Sequence, residues 1–178
     1  SLFDALNHSF TTLATGGFST KNASLAAFNS PYIQWVTILF MYLAGVNFAL
    51  HFRAATGKPV YGSDHEWRFF SCVILGGGLL IAIVNLTSGA SVGIEPALRD
   101  ALFYVTAITT TTGFASTDYE LWAPGVQMTL FAFFFIGGMA GSTGGGIKAM
   151  RILLLLKQTA NEIRKHLHPR AVLLTRIG

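Results

Sequence analysis

Charge is what this sequence has least of. Asp, Glu, Lys and Arg together supply 11% of its 178 residues, and mean hydropathy is +0.52. A water-soluble globule so poor in charge lacks solvating surface, so the composition places the chain in a lipid bilayer. Cysteine is nearly absent. Cys72 alone excludes an internal disulfide, and its apolar neighbourhood predicts a buried membrane residue, not a reactive thiol. Histidines are too scattered for a metal site: His166 and His168 sit beside Pro169, while His8, His51 and His65 are isolated, which predicts interfacial or hydrogen-bonded roles.

Enzyme signatures are lacking as well. Gly144-Gly145-Gly146-Ile147-Lys148-Ala149 fits G-x-G-x-x-A, and Gly141 with Gly146 suggests a phosphate loop. No strand pattern precedes them, Lys148 stands one place too late, and Ala149 offers no magnesium ligand. Ala140 to Gly144 approaches a nucleophile elbow with Ala where the first Gly belongs. The chain is therefore not expected to be an enzyme. Nor does its net charge of +4 indicate nucleic acid, because the basic residues are sorted by position. Arg53, Lys58 and Arg68 lie between two apolar runs, and Lys148, Arg151, Lys157, Arg164, Lys165, Arg170 and Arg176 follow the last one. Positive charge collects on the cytoplasmic side, which predicts a multi-pass protein of the cell (inner) membrane with the intervening Asp/Glu-bearing loops outside. Ser1 opens directly into an amphipathic helix pattern, with no signal-peptide pattern.

What the sequence does have is glycine, phenylalanine and uncharged runs. Residues 32–52 and 69–86 contain no Asp, Glu, Lys or Arg, and each is long enough to cross a hydrocarbon core of about 30 Å. The first is expected to cross without interruption. Gly76-Gly77-Gly78 in the second suits close contact with another helix. A third crossing begins at Pro124 and is expected to break at Gly137, because residues 137–146 hold six glycines in ten positions. Irregular backbone at membrane depth must line water or pack inside protein. From Ile147 a basic amphipathic helix is expected, ending at His168-Pro169, and Trp122 reads as an interfacial anchor. All Asp and Glu are expected outside the spans.

One unit occurs twice. Leu2-Phe3-Asp4-Ala5-Leu6 followed by Thr15-Gly16-Gly17-Phe18-Ser19-Thr20 returns as Leu98-Arg99-Asp100-Ala101-Leu102 followed by Thr111-Thr112-Gly113-Phe114-Ala115-Ser116, at a constant offset of 96 residues. Residues 2–13 and 97–109 read as helices too short to span, each ending in a Thr/Gly/Phe loop. Glycine permits a backbone that turns its carbonyls toward an ion, and threonine adds hydroxyls, so paired re-entrant loops point to ion conduction. Both loops resemble the potassium-channel filter pattern Thr-Val-Gly-Tyr-Gly, with Gly17 and Gly113 at the central glycine and Phe18 and Phe114 at the tyrosine. The helix ends near Leu13 and Thr109 carry partial negative charge that favours cations.

With Ala44-Gly45-Val46-Asn47-Phe48 and Gly141-Ser142-Thr143-Gly144-Gly145-Gly146-Ile147-Lys148 added to the two loops, the chain resembles the Trk, Ktr and HKT potassium-uptake family, most closely its bacterial TrkH branch. The resemblance implies an all-α membrane fold of crossing, pore-helix, filter-loop, crossing repeats around one pore. It implies potassium as the transported ion, held at Thr15, Gly16, Gly17, Thr111, Thr112 and Gly113, with Phe18 and Phe114 completing the filter. It further implies a homodimer regulated by a cytoplasmic nucleotide-binding subunit, with no organic cofactor. Residues 1–55 then form part of one repeat, 56–68 a cytoplasmic loop, 69–167 a complete repeat, and 168–178 the start of a cytoplasmic linker. The glycine-rich segment resembles the family's intramembrane loop, which makes Ala140, Gly141, Ser142, Thr143, Gly144, Gly145, Gly146 and Lys148 the expected gate. Lys148 is read either as a barrier to cations or as a lysine reaching the cytoplasmic interface, the latter slightly preferred. The rival to the whole reading is a non-conducting membrane scaffold in which the glycines serve packing alone.

Overall fold

The computed structural model describes residues 1–167. The expected helix stop at His168-Pro169, the basic residues Arg170 and Arg176 and the linker 168–178 lie outside the described residues. Those described are all-helical, with seven α-helices and three short 3-10 turns. Helix α1 (Leu2–Leu13) stops where Thr15 turns left-handed at φ +50°. Its copy α5 (Ile94–Thr109) begins three residues before the expected start, after Gly93 at φ +108°, and stops where Thr111 turns left-handed at φ +57°. Helix α4 (His65–Thr87) is capped by the Asp64 side chain, which accepts from the Trp67 N–H at 2.7 Å. Among the described residues, α4 alone is long and apolar enough to cross a membrane as a single helix.

The uninterrupted crossing expected over 32–52 is not what forms. Helices α2 (Pro31–Gly45) and α3 (Phe48–Ala55) meet at a bend of 101°. Val46 is extended, and the Asn47 side chain caps α3 by accepting from Ala49 N–H at 2.8 Å. The second break falls where the glycines predict it, though it opens slightly earlier. Helix α6 (Pro124–Phe133) ends before Gly137 is reached, and α7 (Ala149–Leu167) resumes after Lys148.

The two breaks satisfy each other. Carbonyls released at the end of α2 are taken by the glycine-rich segment: Met139 N–H donates to Gly45 O (2.9 Å), and Thr143 donates to Ala44 O through its N–H (3.3 Å) and its hydroxyl (3.1 Å). In return Phe48 N–H, at the start of α3, donates to Gly141 O (3.1 Å). Backbone that lipid cannot hydrate is thus paired within protein, which is the condition for irregular chain at membrane depth.

Helix α4 packs most extensively on α5. A β-carbon on Gly78 would stand 2.4 Å from Leu102 Cδ2, and one on Gly77 would stand 2.3 Å from Phe133 Cζ. Two of the three glycines therefore make the expected close contacts, and Gly76 makes none among the described residues. Cys72, expected to be buried, is exposed on α4. Trp122 is buried against protein, with its ring 5.3 Å edge-to-face from Tyr104. On α7, Lys165 lies 2.8 Å from Glu162 and holds that carboxyl below its usual range.

The glycine contacts differ in how far they can yield. A β-carbon on Gly137 would lie 2.3 Å from Gly145 O and 2.9 Å from both Gly146 C and Ile147 O, all of it backbone. Gly137→Ala is therefore expected to cost about 1–3 kcal/mol as overpacking, and Gly77→Ala less, because the Phe133 ring can rotate away. Thermal unfolding of the full-length protein checks this, and equal melting temperatures for the two variants would count against the backbone contact.

Candidate functional site

The two Thr/Gly loops adopt one backbone shape. Thr15 and Gly17 have φ +50° and +65°, and Thr111 and Gly113 have φ +57° and +78°. Gly17 N–H reaches back to Thr11 O (3.4 Å) as Gly113 N–H reaches Ala107 O (3.1 Å), again at the repeat offset. A β-branched residue in the left-handed region costs about 1–2 kcal/mol, so two threonines holding that conformation are kept for something other than backbone comfort.

Their hydroxyls show what holds them. Thr15 Oγ1 donates to Thr143 O (3.0 Å), and Thr111 Oγ1 accepts from Gly145 N–H (2.6 Å). Both partners belong to the glycine-rich segment. That segment also reaches the end of α1, where the Thr143 hydroxyl proton is shared between Leu13 O (3.0 Å) and Ala44 O (3.1 Å). It therefore packs directly against both loops at the carboxyl ends of their helices. The loops also meet each other: a β-carbon on Gly17 would stand 1.8 Å from Thr112 O. Thr112 Oγ1 lies 2.7 Å from Thr110 Oγ1, in buried surroundings. Phe114 is buried behind its loop, whereas Phe18 is 76% exposed on the described chain.

Within the glycine-rich segment, Ser142 Oγ donates to Met139 O (2.6 Å) and Gly137 N–H donates to Ile147 O (2.7 Å). Lys148 Nζ donates to Gly144 O, so its ammonium folds back on the segment in place of the preferred reach toward an interface. Gly146 is left-handed at φ +69°, as is Gly141 at +75°, with Asn47 Oδ1 3.0 Å from where the Gly141 β-carbon would sit.

Two carboxylates are buried within the protein, and one of them, Glu66, falls in the spanning helix α4, against the expectation that Asp and Glu all stay outside the spans. Glu66, in the first turn of α4, is 3% exposed, and its Oε1 accepts from Ala140 N–H (2.8 Å) and Met150 N–H (2.9 Å). One oxygen therefore joins both ends of the glycine-rich segment. Asp100 on α5 is also buried, 3.5 Å from Arg99 Nε. The signal for Glu66 in the sequence is weak: it stands between Asp64 and Arg68, just before the uncharged run 69–86.

A membrane protein assembled from repeated re-entrant pore units is the class that these features define. The model of the family described as TrkH, cation transport protein, matches residues 1–178. The chain belongs to that family. It is 40% identical over 178 residues to the Trk system potassium uptake protein TrkH of Halomonas elongata, covering 99% of this chain and 37% of that protein. It is 33% identical over 179 residues to the Trk system potassium uptake protein TrkG of Escherichia coli, with the same coverage of 99% and 37%. The crystal structure of the potassium transporter TrkH from Vibrio parahaemolyticus superimposes with a TM-score of 0.95 at 40% identity, covering 100% of this chain and 39% of that one. The chain thus spans little more than a third of the relatives that it matches.

Proposed function

We propose that the chain forms part of a potassium-conducting path: two adjacent filter strands and the segment that closes the path beneath them. Potassium is held by Thr15, Gly16, Gly17, Thr111, Thr112 and Gly113, with Phe18 and Phe114 supporting the outer ends. Ala140, Gly141, Ser142, Thr143, Gly144, Gly145, Gly146 and Lys148 are the gate, and the Lys148 charge, folded onto Gly144, opposes cations below the filter. The observation that carries this reading is the bonding of both equivalent threonine hydroxyls, Thr15 and Thr111, to the glycine-rich segment.

The same geometry supports the repeat boundaries. Residues 1–55 supply a pore helix, filter loop and closing crossing, 56–68 a cytoplasmic connection, and 69–167 a full repeat in which α4 is the opening crossing. Between α1 and α2 lies an apolar groove of about 610 Å³ lined by Leu13, Leu25, Phe28 and Ile33. It fits an opening crossing for the first repeat, in the relation that α4 has to α5. Charge sorting supports filter loops facing outward and basic segments in the cytoplasm of a cell (inner) membrane. A homodimer and a cytoplasmic nucleotide-binding regulatory subunit follow from the family resemblance.

Deleting Gly141 to Gly146 in the full-length transporter is expected to raise cation flux through reconstituted vesicles. Unchanged flux at normal protein abundance would remove the gate from the proposal.

A further inference from the structure

The inner limb of each filter loop is fixed by its backbone and by the segment below it. The outer limb, from the phenylalanine onward, makes no backbone hydrogen bond to its own pore helix among the described residues. In the first copy, side chains do that work along one face of α1. Thr11 Oγ1 shares its proton between Phe18 O and Asn7 O (both 2.9 Å), His8 Nε2 lies 2.8 Å from Ser19 Oγ, and Thr20 Oγ1 donates to Asp4 Oδ1 (2.6 Å). Residues 4, 8 and 11 share a helix face, and the chain runs back along it as 20, 19 and 18.

His8 is the central member. Its Nδ1 lies 2.6 Å from the Asp4 carbonyl, which only accepts, so Nδ1 carries the proton and Nε2 faces the Ser19 hydroxyl. Its ring also stacks on Phe114 of the other filter strand, with centroids 5.9 Å apart and planes 29° from parallel. One side chain therefore touches both strands. The repeat offset places Tyr104 at the equivalent position on α5. Its hydroxyl bonds to the outer limb of its own loop too, donating to Thr117 O and accepting from Thr117 N–H at 3.3 Å. Different chemistry at one helix position spans the same gap in both copies.

We infer that His8 is a positioning residue for ion selection, holding the outer limb of the first filter strand through Ser19 and setting its spacing from the second through Phe114. This rests on the filter reading above. On the cavity-fit account of selection, firmly held carbonyls favour the larger ion, so a loosened limb admits the smaller one. Tyr104 is the internal control, because it shows that a phenol at this position reaches the same limb.

The test uses the full-length transporter in proteoliposomes, with potassium and sodium uptake measured separately and protein abundance determined. His8→Leu and Ser19→Ala are each expected to lower the potassium-to-sodium ratio about tenfold through a higher KM for potassium, and the double variant to fall no further. His8→Tyr is expected to keep most of the ratio. A lower maximal rate with an unchanged ratio and KM would assign His8 a merely structural part and overturn the inference. So would additive losses in the double variant. Gly17→Val in the same vesicles separates the two levels: if it leaves potassium uptake intact, the filter reading itself fails, whereas its loss of uptake beside a normal His8→Leu ratio refutes the His8 assignment alone.

Discussion

Glu66→Leu is expected to raise cation flux through the full-length protein by releasing the proposed gate. The substitution leaves the half-buried N–H groups of Ala140 and Met150 without their acceptor. An orphaned buried donor costs about 1–3 kcal/mol, and half-burial puts these two at the lower end, so together they weaken the proposed closed arrangement by about 2 kcal/mol. That changes a two-state equilibrium about thirtyfold, since about 1.4 kcal/mol is a factor of ten. Met150 lies in the first turn of α7, whose N–H groups have no partner within the helix. Glu66 therefore acts as a cap supplied by another helix, and its loss frees both ends of the glycine-rich segment. Glu66→Gln retains an acceptor oxygen without the charge and is expected to fall between leucine and wild type. Cation flux in reconstituted vesicles under closing conditions gives the order, and equal flux for wild type and both variants would refute a latch at this position.

Gly17→Ala and Gly113→Ala are both expected to reduce potassium uptake more than a hundredfold, for reasons that separate cleanly. At Gly17 the new β-carbon falls 1.8 Å from Thr112 O, and φ is +65°. No side-chain motion relieves a collision with a carbonyl of the neighbouring strand. Gly113 has φ +78° but meets nothing within 4 Å in the described chain. Left-handed strain alone costs about 1–2 kcal/mol, at most some thirtyfold. Any larger loss at Gly113 is therefore the signature of a further strand standing toward it as Thr112 stands toward Gly17. Uptake assays on the full-length protein make the comparison, and a mild Gly113→Ala beside a severe Gly17→Ala would speak against a closed ring of strands.

The parts of the site that are legible in the sequence are those whose determinants are local. Thr15 with Gly17 and Thr111 with Gly113 announce two identical turns, because glycine at positive φ and a helix stop are properties of a few adjacent residues. The glycine-rich break is legible for the same reason. The bend between α2 and α3 is not, since its cause lies in Met139 and Thr143, distant residues that take the carbonyls of Gly45 and Ala44. Asn47, a helix-capping residue within an apolar run, is the local trace of it. Glu66 escapes a reading of the sequence because its partners are backbone N–H groups, which carry no mark there. A carboxylate at a span end looks like solvent-facing charge until the fold places two donors against it.

The exchange of hydrogen bonds between the two bent helices has a consequence for descent. A duplicated unit begins as two modules, each free to drift. Once Ala44 and Gly45 in one unit supply acceptors for Met139 and Thr143 in the other, that freedom ends. A change at either bend is judged by the geometry of its counterpart, and neither unit can be transplanted alone with its backbone satisfied. The copies are still readable as a repeat, but they are inherited as one piece.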